Sequence, residues 1–454
     1  MDVETAFLNS DVEEEIYVKC PEGFEKFCED GTEMVLKLKK SLYGLKQAPA
    51  NWHKTFNDYL VTHCKVKATK MDNCCYVGVD SRGKKVYILL YVDDIIMFGD
   101  SILVERLKIL ITSRFVCKDL SSNNNSSVRY NQALGMVINH DLVRGVMTLS
   151  QELFLNNMLE RFLLNKDAKY RIPAEPDMYK KVEEFITSKR IPIKSNYPYR
   201  EAVGSLLWLS SMTRPDISNT VRYLSRFVSN FHQLHVDILQ RLLGYLNNTR
   251  KLGVVYRKDV EVKKNNVLIA YSDSSYADDL FTGKSTWGSV IMCNGGPVWW
   301  RSVQSDWPVL SSTHAEYGAI NMTVLAVWYV ANLLAEINGL EEVDMVDIYN
   351  NSPDKGSNAL KEFKQISKGS LPVDVMVDNQ AAIHIGTFDS NGKRAKHINV
   401  RYEHVKAMIN AGICKLEYVS TTEQLADILT KCLNRGPFEF LRDKILGKVK
   451  SYLS

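Results

Sequence analysis

Four acids in the C-terminal half, Asp273, Glu316, Asp378 and Asp427, fall on four different expected elements: Asp273 ends a strand, Glu316 opens a helix, Asp378 ends another strand and Asp427 lies on a last helix. Carboxylates at strand ends and helix starts can converge on one edge of a mixed sheet, where several together repel unless divalent cations neutralise them. Two hard cations roughly 4 Å apart then activate a water and stabilise the leaving oxygen of a phosphodiester. Any one of these acids taken alone reads better as a helix cap or a solvated surface group; the argument lies in the ordered set. A second candidate is Asp93 with Asp94, set between the apolar runs 86–92 (VYILLYV) and 95–98. That pattern is a tight β-hairpin with both acids at its tip. Turns prefer Asn-Gly or Asp-Gly, so two adjacent acids are an odd choice for solubility, although a solvated Asp turn accounts for the pair in isolation.

The elements that must position these acids can be read along the chain. Residues 121–127 (SSNNNSS) and 171–179, with Pro173 and Pro176, are breaks or linkers. Between 199 and 256 the apolar periodicity is helical, with Leu206, Leu207 and Leu209, then Val221, Leu224 and Phe227, then Ile238, Leu242 and Leu246 on amphipathic stripes. Arg214, Arg222, Arg226, Arg241 and Arg250 fall on the polar faces, where each is either solvated, the simpler reading, or aligned along a phosphate backbone. From Val267 onward strands are expected at 267–273, 286–293 and 296–303, followed by a long helical stripe from Thr313 that includes Ile320, Val324, Val327, Ala331 and Leu334. A strand at 373–377, a helix start at 379–386, an amphipathic helix at 396–410 ended by Gly412, a strand at 413–419 and a helix at 423–432 complete the pattern. The polar stretch 350–370 reads as a surface insertion.

Bulk properties bound the answer. At 454 residues, two to four domains are expected. Hydrophobic content of 45% and charged content of 24% are those of a globular protein, and no run of 18 apolar residues spans a bilayer. Met1, Asp2 and Glu4 do not begin a secretory signal, so a cytosolic or nuclear location is expected. Nine cysteines with one adjacent pair, Cys74 and Cys75, but no CxxC argue for reduced thiols over a disulfide framework or zinc module. The net charge of +4 is too mild to argue for nucleic acid by itself.

The ordered segments MDVETAFLN (1–9), SLYGLKQAPANW (41–52), LLYVDDIIMFG (89–99), TRPDI (213–217), YSDSSYADD (271–279), LSSTHAEY (310–317), VDNQAAI (377–383), AKHINVRYEHV (395–405) and LADILTK (425–431) carry a resemblance. Over nearly its whole length the sequence resembles the reverse transcriptase and RNase H region of copia-type retrotransposon Pol polyproteins. The resemblance implies an α+β architecture: a reverse transcriptase palm of antiparallel sheet and helices at 1–120, a mostly helical thumb or connection at 121–260, an RNase H-like mixed α/β domain at 261–433 with the insertion at 350–370, and a C-terminal tail at 434–454.

It also implies roles. Asp2, Asp93 and Asp94 would be the palm carboxylates, holding two Mg²⁺ (or Mn²⁺) ions for attack of a primer 3′-hydroxyl on an incoming triphosphate. Asp273, Glu316, Asp378 and Asp427 would hold the two ions of an RNase H site. Phe7 matches the aromatic position under the nucleotide sugar, with a core phenylalanine as the equal alternative. Tyr43 and Gly44 match contacts to nucleotide and template, the alternative being a turn glycine beside a packing tyrosine.

Two positions depart from the family near the nuclease site. His314 stands where many members have Glu, and residues 420–422 (STT) replace the loop histidine that some RNases H use to release product. His397 and His404, near Lys393, Arg394 and Lys396, are either phosphate contacts or solvated.

The expected partners are RNA or DNA template-primer, RNA–DNA hybrid, dNTPs and other Pol or Gag products, and no membrane; the expected location is a cytoplasmic virus-like particle or the nucleus. A copia-type enzyme has a fingers region of about a hundred residues, the size of a small domain, before the first palm acid. With Asp2 second in this sequence, the expectation is a chain lacking its fingers, with Asp2 on a frayed terminus and polymerase activity weak or lost. Protease and integrase signatures are absent from the sequence, which suggests a piece of a larger polyprotein or a degenerate copy. The alternatives to a polymerase with RNase H activity are an RNase H alone and a catalytically inactive nucleic-acid-binding remnant.

Overall fold

Period-2 alternation builds the first sheet. In the strand Lys85–Tyr91, Val86, Ile88 and Leu90 are buried while Leu89 and Tyr91 face solvent, so one face of the ribbon must be covered. The computed structural model describes residues 1–120, 128–189, 196–258, 268–339, 371–387 and 396–448. They fall into two units, Met1–Asn123 and Asn124–Ser454.

In the first unit the strands are β1 (Asp2–Val3), β2 (Tyr17–Lys19), β3 (Val35–Lys37), β4 (Lys67–Ala68), β5 (Cys75–Val79), β6 (Lys85–Tyr91), β7 (Asp94–Gly99) and β8 (Cys117–Lys118). Six of them form a sheet in the order β4-β5-β6-β7-β1-β8, and β2 pairs with β3 separately. Trp52 and Phe56 of helix α1 (Ala48–Tyr59) and Leu107 and Ile111 of α2 (Ser101–Arg114) close the core over Val86, Ile88 and Ile95. The Asp100 side chain caps α2 by accepting from the Ile102 and Leu103 amides, two donors that the first turn cannot satisfy internally.

The second unit carries β9 (Val128–Ala133), β10 (Met136–Asp141), β11 (Val146–Ser150) and β12 (Val254–Arg257) in one sheet. A second sheet has the order β15-β14-β13-β16-β17, from β13 (Leu268–Ser275), β14 (Thr286–Cys293), β15 (Gly296–Gln304), β16 (Val373–Val377) and β17 (Cys414–Tyr418). The β13–β14–β15 ladder is antiparallel and β13–β16–β17 is parallel. Its helices are α3 (Glu152–Phe162), α4 (Met178–Lys189), α5 (Tyr199–Met212), α6 (Ser218–Ser225), α7 (Gln233–Asn248), α8 (Ser312–Ile337), α9 (Gln380–Thr387), α10 (Lys396–Asn410), α11 (Asp427–Thr430) and α12 (Arg435–Ile445).

Two cores cover the five-stranded sheet. One joins Ala270, Ile291, Val375 and Leu416 to Ile320, Val324 and Val327 of α8. The other joins Tyr271, Val290 and Met292 to α3, α5, α6, α7 and α12. The α8 segment is long and apolar enough to cross a bilayer, but about half of it is buried against this sheet.

The structure corrects several expectations. Helices at 152–248 share one core with the sheet at 268–304, because their apolar stripes and the strands' inward side chains cover each other. Residues 434–454 were expected to be a tail, yet α12 buries Phe438, Leu441 and Ile445 in that core. The ribbon 128–150 was not anticipated within a mostly helical segment. The expected breaks at 121–127 and the insertion at 350–370 lie outside the described residues.

The five arginines expected on polar helical faces each have a protein partner. Arg214 pairs with Asp216, Arg226 with Glu183 and Asp279, Arg222 lies 3.8 Å from Asp278, Arg241 binds Glu175, and Arg250 binds Asn247 and Asn156. Arg214 and Arg222 are buried, so neither solvation nor a phosphate track describes them.

Candidate active site

Strand β13 brings Asp273 to the sheet edge where the parallel neighbour β16 delivers Asp378 just past its last residue. The Ser311 side chain caps α8, accepting from the His314 amide, and sets Glu316 one turn in from the helix start. Gly318 permits close approach on that face, since a Cβ there would collide with the Trp287 indole of β14. One ligand oxygen each of Asp273, Glu316 and Asp378 lies within 4.8 Å of the others, and this is the one such group of three or more His, Cys, Asp or Glu among the described residues.

Burial makes the grouping costly. Asp273 is 2% exposed, Glu316 7% and Asp427 3%. Desolvation, and then the neighbouring Asp273 carboxylate, pushes Glu316 up to about 9. The same two causes push Asp427 up to about 8, with Lys431 opposing them. Burial also raises Asp273 above its ordinary value against the pull of Lys431. Like charges in a desolvated pocket cannot all ionise without counter-cations. Glu316 Oε2 is buried with no hydrogen-bond partner.

Asp427 falls outside the mutual closeness of the three-acid group but adjoins it, its side chain hydrogen-bonded to that of Asp273. It opens α11, where Lys431 Nζ lies 2.9 Å from its Oδ1 and 3.7 Å from Asp273 Oδ2. Asp427 had been expected within a longer helix over 423–432; the structure has a four-residue α11 preceded by a 3₁₀ turn, Thr421–Glu423.

Several positioning groups went unnoticed in the sequence. Thr430 Oγ1 donates to Asp273 Oδ2. Thr421 Oγ1 donates to Asp378 Oδ2 at 3.0 Å, from the loop that lacks the product-release histidine. Gln424 is fully buried and its Nε2 bridges Ser272 O at 3.0 Å and Met376 O at 3.3 Å, tying together the two strands that end in Asp273 and Asp378. The signal for these residues was their place in or beside the 425–431 segment, but hydroxyl and amide side chains carry no spacing rule of their own. His404 is corrected: it is buried on α10 and its ring bonds Asn321 Oδ1 at 2.8 Å, while the His397 side chain lies outside the described residues.

Gly288 pairs with Asp273 across β13–β14, and a Cβ there would lie 2.6 Å from Thr430 Cγ2 and 3.0 Å from both Ala426 O and Leu429 Cβ. The missing side chain lets α11 seat on the sheet. Gly288→Ala is therefore expected to lower stability by about 1–3 kcal/mol through overpacking, read as the urea-unfolding free energy; an unchanged value would mean that α11 is free to shift.

In the first unit the hairpin forms, with a different tip. The turn residues are Val92 and Asp93, and Asp94 already pairs with Tyr91 as the first residue of β7. Val92 has φ +55°, a strained conformation for a β-branched residue, and its carbonyl accepts from Trp52 Nε1 at 2.6 Å. Asp2 is not frayed. It sits in β1 between β7 and β8, directly opposite Asp94 and Lys118, and the Val3 amide donates to Asp93 O at 2.9 Å. Cross-strand partners share a face, so the Asp2 and Asp94 carboxylates repel in the absence of a cation. The three acids do not reach the mutual closeness of the Asp273 group.

Phe7 and Tyr43 form a tilted ring pair, 4.6 Å between centroids and 47° between planes. Phe7 is half-buried and packs on the core, whereas Tyr43 is exposed. Gly44 has φ +101° with open space beside it, a turn conformation that favours glycine.

Residues 1–176 match the family described as reverse transcriptase (RNA-dependent DNA polymerase). The chain is 32% identical over 449 residues to the retrovirus-related Pol polyprotein from transposon TNT 1-94 of Nicotiana tabacum, covering 98% of this chain and 30% of that one. It is 32% identical over 331 residues to the putative transposon Ty5-1 protein of Saccharomyces cerevisiae, covering 72% of this chain and 100% of that one. Among solved structures, the N-terminal RNase H domain of a Mycobacterium tuberculosis protein aligns with 39% of this chain and 96% of its own at 10% identity, with a TM-score of 0.23. The chain thus spans about 30% of the length of the Nicotiana polyprotein.

Proposed function

We propose, for a chain that belongs to the retrovirus-related Pol polyproteins of copia-type transposons, that its second unit is a ribonuclease H cutting the RNA strand of an RNA–DNA hybrid and its first the palm of an RNA-directed DNA polymerase. The observation that carries the nuclease reading is the group Asp273, Glu316 and Asp378, closed to within 4.8 Å with Asp273 and Glu316 buried. Such a group is expensive unless it binds cations.

The donors fit Mg²⁺ or Mn²⁺, being all carboxylate oxygen, with Glu316 Oε2 buried and unpaired. Two such ions, when bound, supply an activated water and charge stabilisation at the leaving oxygen. The chain's own part is positional. Thr430 orients Asp273, Thr421 orients Asp378, and Gln424 fixes the spacing of their strands. Asp427 is the fourth acid of the site, beside Lys431.

For the palm, Asp2, Asp93 and Asp94 would hold the ions of nucleotidyl transfer, and Phe7, Tyr43 and Gly44 the incoming dNTP. Template-primer and hybrid are the macromolecular partners, with other Pol or Gag products beside them, in a cytoplasmic particle or the nucleus.

The two halves separate experimentally. With purified protein and Mg²⁺, hybrid degradation is expected to survive Asp94→Asn and to vanish with Asp378→Asn. Extension of a primed homopolymer is expected to do the reverse, falling at least about a hundredfold with Asp94→Asn, a loss of about 2.7 kcal/mol of transition-state stabilisation. Incorporation that ignores Asp94→Asn would sink the polymerase reading. Hybrid cleavage that ignores Asp378→Asn would sink the nuclease reading.

A further inference from the structure

Helix α7 begins on two histidines. His232 Nδ1 accepts from the Leu234 amide at 3.2 Å, and His235 Nδ1 accepts from the His232 amide at 2.9 Å. The pair forms a reciprocal cap in which imidazoles stand where a hydroxyl and a Glu or Gln usually do. A backbone N–H facing each ring fixes its protonation: Nδ1 must offer a lone pair, so each neutral imidazole holds its proton on Nε2. Both Nε2 atoms are buried without a hydrogen-bond partner, and His235 is 1% exposed. We propose that these two rings make the start of α7 an acid-sensitive switch: a proton on Nδ1 turns each acceptor into a donor pointed at a backbone N–H, which removes both caps and opens the junction between α6 and α7.

The described surroundings supply a protonated ring with no carboxylate of its own. His235 lies flat on Phe227, 3.9 Å between centroids and 18° between planes, with the Tyr223 ring 6.3 Å away. At the end of α6, the Arg226 guanidinium opposes a second positive charge. Glu183 from α4 and Asp279 from the β13–β14 loop are both bound by Arg226, and Asp278 of that loop faces Arg222. On α7 itself Asp237 is exposed and accepts from Gln233, and from α5 Tyr199 stacks on Phe231 and donates to Leu224 O. Burial, then His232 and Arg226, push His235 down from 6.5 to about 4. A histidine depressed in the folded state contributes stability that is present above the unfolded value and is lost as pH falls toward the folded one. The same end of α7 holds Val236, Ile238 and Leu239 in the core over Tyr271 and Val290, so the opening uncovers apolar side chains.

Hydrogen exchange on the full chain, corrected for the intrinsic pH dependence of each amide, reads the opening. Protection of the His232, Leu234 and Val236 amides is expected to fall about twentyfold between pH 7 and pH 5, the difference in protonation between an exposed ring and one held near 4. Amides of α8 are expected to change by less than about threefold, which separates a local opening from global unfolding. His232→Asn with His235→Gln keeps an acceptor oxygen at each cap and removes both titrating rings, so its α7 protection is expected to hold over that range. Because losing the ring stacked on Phe227 weakens packing, the wild-type protein labelled with ¹⁵N-histidine gives a second reading. There His235 is expected to remain neutral, with its proton on Nε2, at about pH 6. Protection that ignores pH, an equal fall in α8 or in the double variant, or a His235 ring already charged at that pH in the folded protein overturns the inference.

Discussion

Glu316→Gln is expected to abolish hybrid cleavage while making the metal-free protein more stable. The substitution keeps the shape of the side chain and an oxygen that can accept from Ser274, but removes a carboxylate that burial and Asp273 already disfavour. A loss of at least about a thousandfold in cleavage corresponds to about 4 kcal/mol at 1.36 kcal/mol per factor of ten. The stability gain follows from relieving a crowded group of like charges and is expected to be about 1 kcal/mol, in the manner of active-site residues that trade stability for function. Thermal unfolding with and without Mg²⁺ provides the second reading, because the wild-type gain on adding the ion is expected to shrink in the variant. A variant that loses cleavage and also unfolds more readily without metal would show a structural role for Glu316 and sink the ligand assignment.

The second large effect lies away from any active site. Asp216→Asn is expected to destabilise the second unit by about 3–5 kcal/mol, the cost of leaving a buried charge without its partner. Arg214 is 1% exposed and Asp216 2%. Arg214 Nε and Nη2 donate to the two oxygens of Asp216, each at 2.8 Å, and Nη2 also donates to Thr249 Oγ1 at 2.9 Å. Tyr245 donates to Asp216 Oδ2 at 2.6 Å, so the network joins the end of α5 to α7.

Burial alone would raise Asp216, yet Arg214 and Tyr245 hold its carboxyl below the usual range. The sign follows: a carboxyl depressed in the folded state contributes stability that is present above the unfolded value of 3.8 and is lost as pH falls through the folded one. The difference between wild type and Asp216→Asn in urea unfolding is therefore expected to be largest at neutral pH and to narrow below about pH 3.8. A difference that stays constant down to pH 3 would mean that the ion pair is not its source. Arg214→Met with Asp216→Leu is expected to recover most of the loss, since a well-packed apolar pair avoids the desolvation of both charges.

Much of this site was legible in the sequence because carboxylates at strand ends are a local pattern. Asp273 before a turn, Asp378 after a five-residue apolar strand and Glu316 behind a Ser cap can each be placed from neighbours within a few residues. The hairpin at 86–98 was legible for the same reason, but its register was not. Val92 enters the turn because Trp52, forty positions earlier, holds its carbonyl and because Asp94 must pair with Asp2. Arg214 was expected on a polar face, solvated or along a phosphate backbone, because a spacing rule sees periodicity and not the Asp216 carboxylate that encloses it, itself held by the Tyr245 hydroxyl from another helix.

By itself the sequence determined most element types, though not the ribbon at 128–150, together with the two candidate acidic sets and the family, because hydrophobic period, caps and charged motifs are written in neighbouring residues. Only the tertiary structure decided that three of the four nuclease acids, Asp273, Glu316 and Asp378, close into one group. It also decided that the helices at 152–248 and the helix at 435–445 share the sheet's core. The physical reason is common to both: electrostatic coupling and burial act between residues tens to hundreds of positions apart, and local periodicity carries no information about which distant group will approach or cover the face.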